Sequence, residues 1–158
     1  MAVSGRVYTM GFQNVTLGAV QDALAVYAGA SKVFAVLSVN LGQITGTSVA
    51  NLRVRLRYLP ATVTAGSGGT AGVLKPFVAG DGVATITGRI NDTTQASSSG
   101  TAVDLWDDVW NTVNGFLWVP PVPSRPPVIG LNGAFVVSLD TAPSSLISNG
   151  SVTLEELP

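Results

Sequence analysis

Apolar and polar residues alternate along much of this chain, in short runs cut by Gly, Pro, Asn and Ser. A period of two puts one set of side chains on each face of an extended strand. Arg6 to Phe12 sets Tyr8, Met10 and Phe12 against Val7 and Thr9. Val20 to Tyr27 carries Val20, Leu24 and Val26 on one side. Lys32 to Leu41 is the densest β-branched run and reads as a central strand. Leu52 to Leu59 alternates cleanly, with Leu52, Val54, Leu56 and Tyr58 facing one way and Arg53, Arg55 and Arg57 the other. Val83 to Asn91, with Ala84, Ile86, Gly88 and Ile90 on one face, is followed by Phe116 to Val119, Ala134 to Leu139 and Ser151 to Leu157. About eight strands with turn punctuation predict an all-β fold, a jelly-roll-like β-sandwich. No composition shift divides it, so residues 1–158 read as one domain.

One segment departs from this period. Val103, Trp106, Trp110, Val113 and Leu117 recur at intervals of three and four, which is helical spacing. Asp104 is placed to cap such a helix and Asn114-Gly115 to end it, so the fold allows one short helix near 105–113. The alternative there is a loop with two buried tryptophans. Three stretches read as loops. Ala61 to Gly72, with Ala65-Gly66-Ser67-Gly68-Gly69-Thr70, has almost no side chain to bury and is expected to be mobile; Thr93 to Gly100 is similar. Pro120 to Pro127 is stiff and extended, because each proline fixes φ and lacks an N–H.

Composition changes the picture in one respect. Charged residues make up 11% of the chain and hydrophobic ones 46%, against roughly 25% charged in an ordinary soluble domain. A chain this poor in charge is expected to shelter part of its surface against other copies. A net charge of −1 gives no reason to expect nucleic acid. With no cysteine and no histidine, disulfides, thiolate chemistry, the commonest metal ligand and the commonest general base are all absent. Met1 to Arg6 shows no leader pattern, and the apolar run Val33 to Val39 falls far short of the roughly 20 residues of a membrane span.

Candidate chemistry is sparse. Asp107-Asp108, with Asp104 nearby, forms the main acidic cluster, and Glu155-Glu156 the other. Neighbouring residues diverge on a strand or a helix, so neither pair makes a hydrolytic dyad, and the interleaved Asp, Asn and Gly of a calcium loop are missing. The glycine loop lacks the Lys-Ser or Lys-Thr of a phosphate cradle, and no Gly-x-Ser-x-Gly elbow is present. No catalytic residue, metal or cofactor is expected. Arg53, Arg55 and Arg57 share one strand face. They read either as a solvated, edge-protecting face or as a docking face for an acidic partner surface. Trp106, Trp110 and Trp118 read as core or intersubunit anchors, with a sugar-stacking platform as the alternative.

The chain also resembles small tailed-bacteriophage structural proteins of the capsid decoration, or cement, type. The resemblance rests on Arg6-Val7-Tyr8-Thr9-Met10-Gly11-Phe12, Val20-Gln21-Asp22-Ala23-Leu24 and Leu52-Arg53-Val54-Arg55-Leu56 before a Gly-Ser-Gly-Gly loop. It continues through Asn91-Asp92-Thr93-Thr94 and Asn114-Gly115-Phe116-Leu117-Trp118-Val119-Pro120, leading to Arg125-Pro126. It implies a β-sandwich, often trimeric, made in the host cytoplasm and seated on the outside of the phage head. Its partners would then be the major capsid protein and copies of itself, with no nucleic acid, no membrane and no enzymatic activity. The alternative is a receptor- or carbohydrate-binding jelly-roll module of a phage fibre.

Overall fold

Valine, threonine and aromatic residues fill most of the stretches between the glycines and prolines, and those stretches pair as strands. The computed structural model describes residues 5–45, 50–142 and 146–158, with only the backbone of Thr45. The first four residues, read above for a leader, lie outside that set. In chain order the strands begin with β1 (Arg6–Leu17), β2 (Gln21–Tyr27), β3 (Phe34–Thr45), β4 (Asn51–Leu59), β5 (Val63–Thr64), β6 (Thr70–Gly72) and β7 (Lys75–Pro76). They continue with β8 (Thr87–Asp92), β9 (Ser97–Ser98), β10 (Val103–Asn111), β11 (Phe116–Trp118), β12 (Val128–Ile129), β13 (Ala134–Leu139) and β14 (Leu146–Glu156).

These strands build a β-sandwich of antiparallel sheets. The first sheet runs β11-β3-β14-β1-β7, with β12 beside β11 along the same edge of β3. The second runs β10-β4-β13-β2-β8-β6, and β5 pairs with β9 apart from both. The chain crosses between these two sheets at β1–β2, β2–β3, β3–β4, β6–β7, β7–β8, β10–β11, β12–β13 and β13–β14. Between the layers lie Tyr8, Met10 and Phe12 of β1, as the alternation requires, facing Leu24 and Val26 of β2 and Leu52, Val54 and Leu56 of β4. Each fully buried Val or Leu contributes roughly 1.5–3 kcal/mol, so this layer dominates the stability. Val20, expected on the inner side of β2, precedes the strand and is exposed.

The helix expected over 105–113 is instead the edge strand β10, paired along its length with β4. Its false period has a local cause. A bulge between Asp104 and Trp106 inserts one residue, so Val103 and Trp106 stand three apart yet face Tyr58 and Leu56 on the same side of β4. Trp106 and Trp110 are two strand periods apart, and Val113 lies in the turn that leads to β11. A bulged strand followed by a turn thus copies the three-and-four spacing of a helix.

The two glycine- and serine-rich stretches form a third layer. β5 and β9 pair over the outer face of the second sheet, and Ser67 bridges Thr94 through both backbone hydrogen bonds. Beneath them Ala25, Leu59, Ala96, Ala134 and Val136 make a second apolar cluster, and every residue of β13 is buried. The glycines allow the layer to seat this closely. A Cβ on Gly66 would lie 2.7 Å from the Thr94 carbonyl and 2.8 Å from the Asp92 carboxylate.

Candidate functional site

The clean alternation of β4 puts Arg53, Arg55 and Arg57 on the outer face of the second sheet, where β10 and the end of β13 meet them with carboxylates. Arg53 donates from Nε to Asp107 at 2.9 Å and makes a second contact through Nη2. Arg55 donates from Nη2 to Asp140 at 2.9 Å and lies 3.4 Å from Asp104. Arg57 places Nε 3.3 Å from the other Asp104 oxygen. The guanidiniums therefore face acids of their own chain. The Arg53 guanidinium beside Asp107 holds that carboxyl below the usual carboxylate range. Asp108, next along β10, lies opposite Val54 on the other side of the strand, so the adjacent pair diverges as a strand requires.

The three tryptophans separate. Trp110 is buried and donates its indole N–H to the Asn114 carbonyl at 2.7 Å, closing the turn between β10 and β11. Trp118 is buried opposite Val39, and its indole N–H finds no acceptor among the described residues. Trp106 is 39% exposed on the open edge.

A polar cluster that composition does not reveal lies beneath the third layer. Asp22 of β2 and Asp92 of β8 are cross-strand partners, each only 1% exposed. Asp92 accepts from Arg89 Nε and Nη2 at 2.8 and 2.7 Å and from the Gly69 N–H at 3.0 Å. Asp22 accepts from the Ala96 N–H at 2.7 Å and from Ser138 Oγ at 2.8 Å. Burial pushes the Asp22 carboxyl up to about 6; the two hydrogen bonds and Arg57 pull it back, and Asp92 adds to the rise. Tyr27 receives the Gly66 N–H at 3.2 Å. These groups tie the glycine layer to the sheet. The sequence carried one signal for them: Asp22 is an acid inside Gln21–Tyr27, a run otherwise suited to burial.

Two surface features remain. The outer face of the first sheet forms an open groove of about 750 Å³. Its lining is mixed, with the polar Thr9, Gln13, Asn40 and Asn149 and the cation Lys75 beside the apolar Phe12, Val15 and Ile90. Large apolar side chains are exposed along one side of the sandwich, at Val103, Trp106, Val109, Val113, Leu117 and Val119, and at Phe77, Val78 and Val83 near β7. Among the described residues no three His, Cys, Asp or Glu side chains are grouped to hold a metal ion, and no helix is long and apolar enough to cross a membrane. Comparison with known proteins gives no match, whether to a family model, a curated protein or a solved structure.

Proposed function

We propose that this chain is a virion structural protein, a capsid decoration subunit that binds the major capsid protein on the outside of a phage head as a homo-oligomer. The observation that carries the reading is the exposure of large apolar side chains along the sides of a sandwich with only 11% charged residues. Such surfaces call for protein neighbours. The strand order supports a jelly roll: β1-β14-β3-β11 in one sheet and β2-β13-β4-β10 in the other interleave as two Greek keys would. Capsid attachment through the arginine stripe would require Arg53, Arg55 and Arg57 to exchange carboxylates they already hold, so the apolar sides are the better candidates for contact. The test is co-sedimentation of the purified chain with expanded heads and with precursor shells. Saturable binding to expanded heads alone is expected; a chain that ignores both particles would overturn the reading.

The groove on the first sheet favours a second reading, a carbohydrate-binding module, because its amides and hydroxyls, beside the single cation Lys75, suit the hydrogen-bonding of sugars. Burial of Trp110 and Trp118 removes two of the three indoles from any stacking platform. Signal on a glycan array with no head binding would reverse the order of the two readings.

A further inference from the structure

The two long sides of the sandwich differ, and the difference is complementary. At one side stand β10 of the second sheet and β11 of the first. β10 is a nine-residue edge strand with no strand on its outer side among the described residues. It exposes Trp106 and Val109, and Val113 and Leu117 extend that surface through the turn to β11. β10 carries Asp104, Asp107 and Asp108 and no cation. Asp108 has no ion-pair partner among the described residues.

At the opposite side, β7 leads into the 77–83 turn, which holds Phe77, Val78 and Val83 in solvent, Val83 at 91% exposure. This turn is fastened. The Asp81 N–H donates to the Val78 carbonyl at 3.1 Å, and the hydroxyl of the core residue Tyr8 donates to the Gly82 carbonyl at 2.9 Å. Its cations are Lys75 and Arg6, the latter so close that a Cβ on Gly82 would lie 2.8 Å from the guanidinium. Neither has an ion-pair partner among the described residues.

An open edge strand with exposed apolar residues is a pairing hazard unless something covers it. A second β10 is a poor cover, because antiparallel self-pairing would set these carboxylates near one another, and like charges in cross-strand positions repel. The far side of the same sandwich offers apolar surface beside Arg6 and Lys75, with Asp81 in the turn, Glu155 engaged by the Gly5 N–H and Glu156 buried behind it, engaged by the Thr85 and Ile86 N–H groups. We propose that the occupant of the β10–β11 side is a second copy of this chain, which presents its 77–83 turn, so that copies join head to tail. Such a contact is heterologous: each copy uses two different patches, and the assembly closes as a ring or grows as a filament. The inference deepens the decoration reading and rests on its premise of self-association, since a subunit seated on a symmetry axis requires the closed form.

The test uses the full chain, with light scattering to read the mass and circular dichroism to check the fold. Phe77→Ser with Val78→Ser removes one patch, and Val109→Ser with Leu117→Ser removes the other. Each double variant alone is expected to be monomeric, with association weakened at least about tenfold, a change of about 1.4 kcal/mol. A mixture of the two is expected to form a 1:1 dimer, because each variant retains one competent side. An isologous contact would not give that complementation. A wild-type chain that stays monomeric, a Phe77/Val78 variant that assembles normally, or a mixture that stays monomeric would each overturn the proposal. Should that variant lose its fold, Val83→Ser carries the same test at the most exposed of these positions. An assembly that fails to sediment with heads would overturn the decoration reading alone; a monomer that coats heads would overturn the head-to-tail contact alone.

Discussion

The second sheet carries carboxylates toward both of its ends and treats them in opposite ways. At the β4–β10 end, Asp104, Asp107 and Asp140 meet three arginines at the surface, and Arg53 and Asp107 remain substantially in water. The Arg53–Asp107 pair contributes little, because solvent screens it and two long side chains must be ordered to make it, whereas Arg55, Arg57 and Asp140 are largely withdrawn from water. At the β2–β8 end, Asp22 and Asp92 lie beneath the glycine layer, where water does not reach them. There Asp92 takes the whole Arg89 fork and a backbone N–H, whereas Asp22 receives only uncharged donors. Asp107 is thus a surface ornament at one end and Asp92 a fastening at the other, and position within the layers makes the difference.

The largest effect is expected where a fastening is removed. Asp92→Ala leaves the Gly69 N–H and the partly buried Arg89 without their acceptor and releases the 65–70 segment from β8. A loss of about 3 kcal/mol in urea unfolding is expected, the usual scale for breaking a buried, hydrogen-bonded charge. A loss under about 1 kcal/mol would mean that the loop layer is held by its own backbone bridges and that the contrast between the two ends is empty.

Asp22 gives the second prediction, and its sign is opposite to that of a typical salt-bridged acid. Its folded pKa, about 6, lies above the ordinary 3.8. Between those values the folded state holds the extra proton. Stability from this group is therefore greatest below about pH 4 and declines as pH rises through about 6. The cost at neutral pH is on the order of 2–3 kcal/mol. Asp22→Asn preserves a hydrogen-bonding solution, with the amide oxygen accepting from Ala96 and the amide nitrogen donating to Ser138. It is expected to raise stability at pH 7 and to flatten the melting temperature between pH 4 and 7. An unchanged pH slope in that variant would assign the dependence to another group.

Much of the sandwich was legible in the chain because a period of two is a direct consequence of the pleat. β1, β4 and β14 bury the residues their alternation selects, and the apolar run of β13 is buried on both faces. The period fails where a bulge inserts a residue, which is why β10 reads as helix. The glycine-rich stretches were hidden for a different reason. Their packing depends on close backbone approach and on two buried acids, neither of which leaves a hydrophobic trace. The arginine stripe is visible on one face of β4, and reads either as a solvated face or as a docking face; a helix over 105–113 gives no reason to set Asp104 and Asp107 beside it. Once β10 is a strand beside β4, those carboxylates fall opposite the arginines without further assumption.

Arg53→Ala is the smallest of the three expected effects and the sharpest test of the comparison. Arg53 and Asp107 are both well exposed, so water replaces the lost hydrogen bonds on each side. The one clear change should be local: the Asp107 carboxyl, held low by Arg53, is expected to titrate nearer its ordinary value, read by carboxyl NMR. A lowered acid contributes above its ordinary pKa and loses that contribution as pH falls through the lowered one. Any stability difference between wild type and Arg53→Ala should therefore appear at neutral pH, fade on acidification, and vanish in about 1 M salt, where the Debye length is about 3 Å. The Asp92→Ala loss should largely persist at that salt concentration, because the Asp92 carboxylate is buried and one of its donors is the Gly69 N–H. Equal, salt-independent losses from the two variants would show that the surface ladder is fastened as firmly as the buried pair, and the distinction between the two ends would fall.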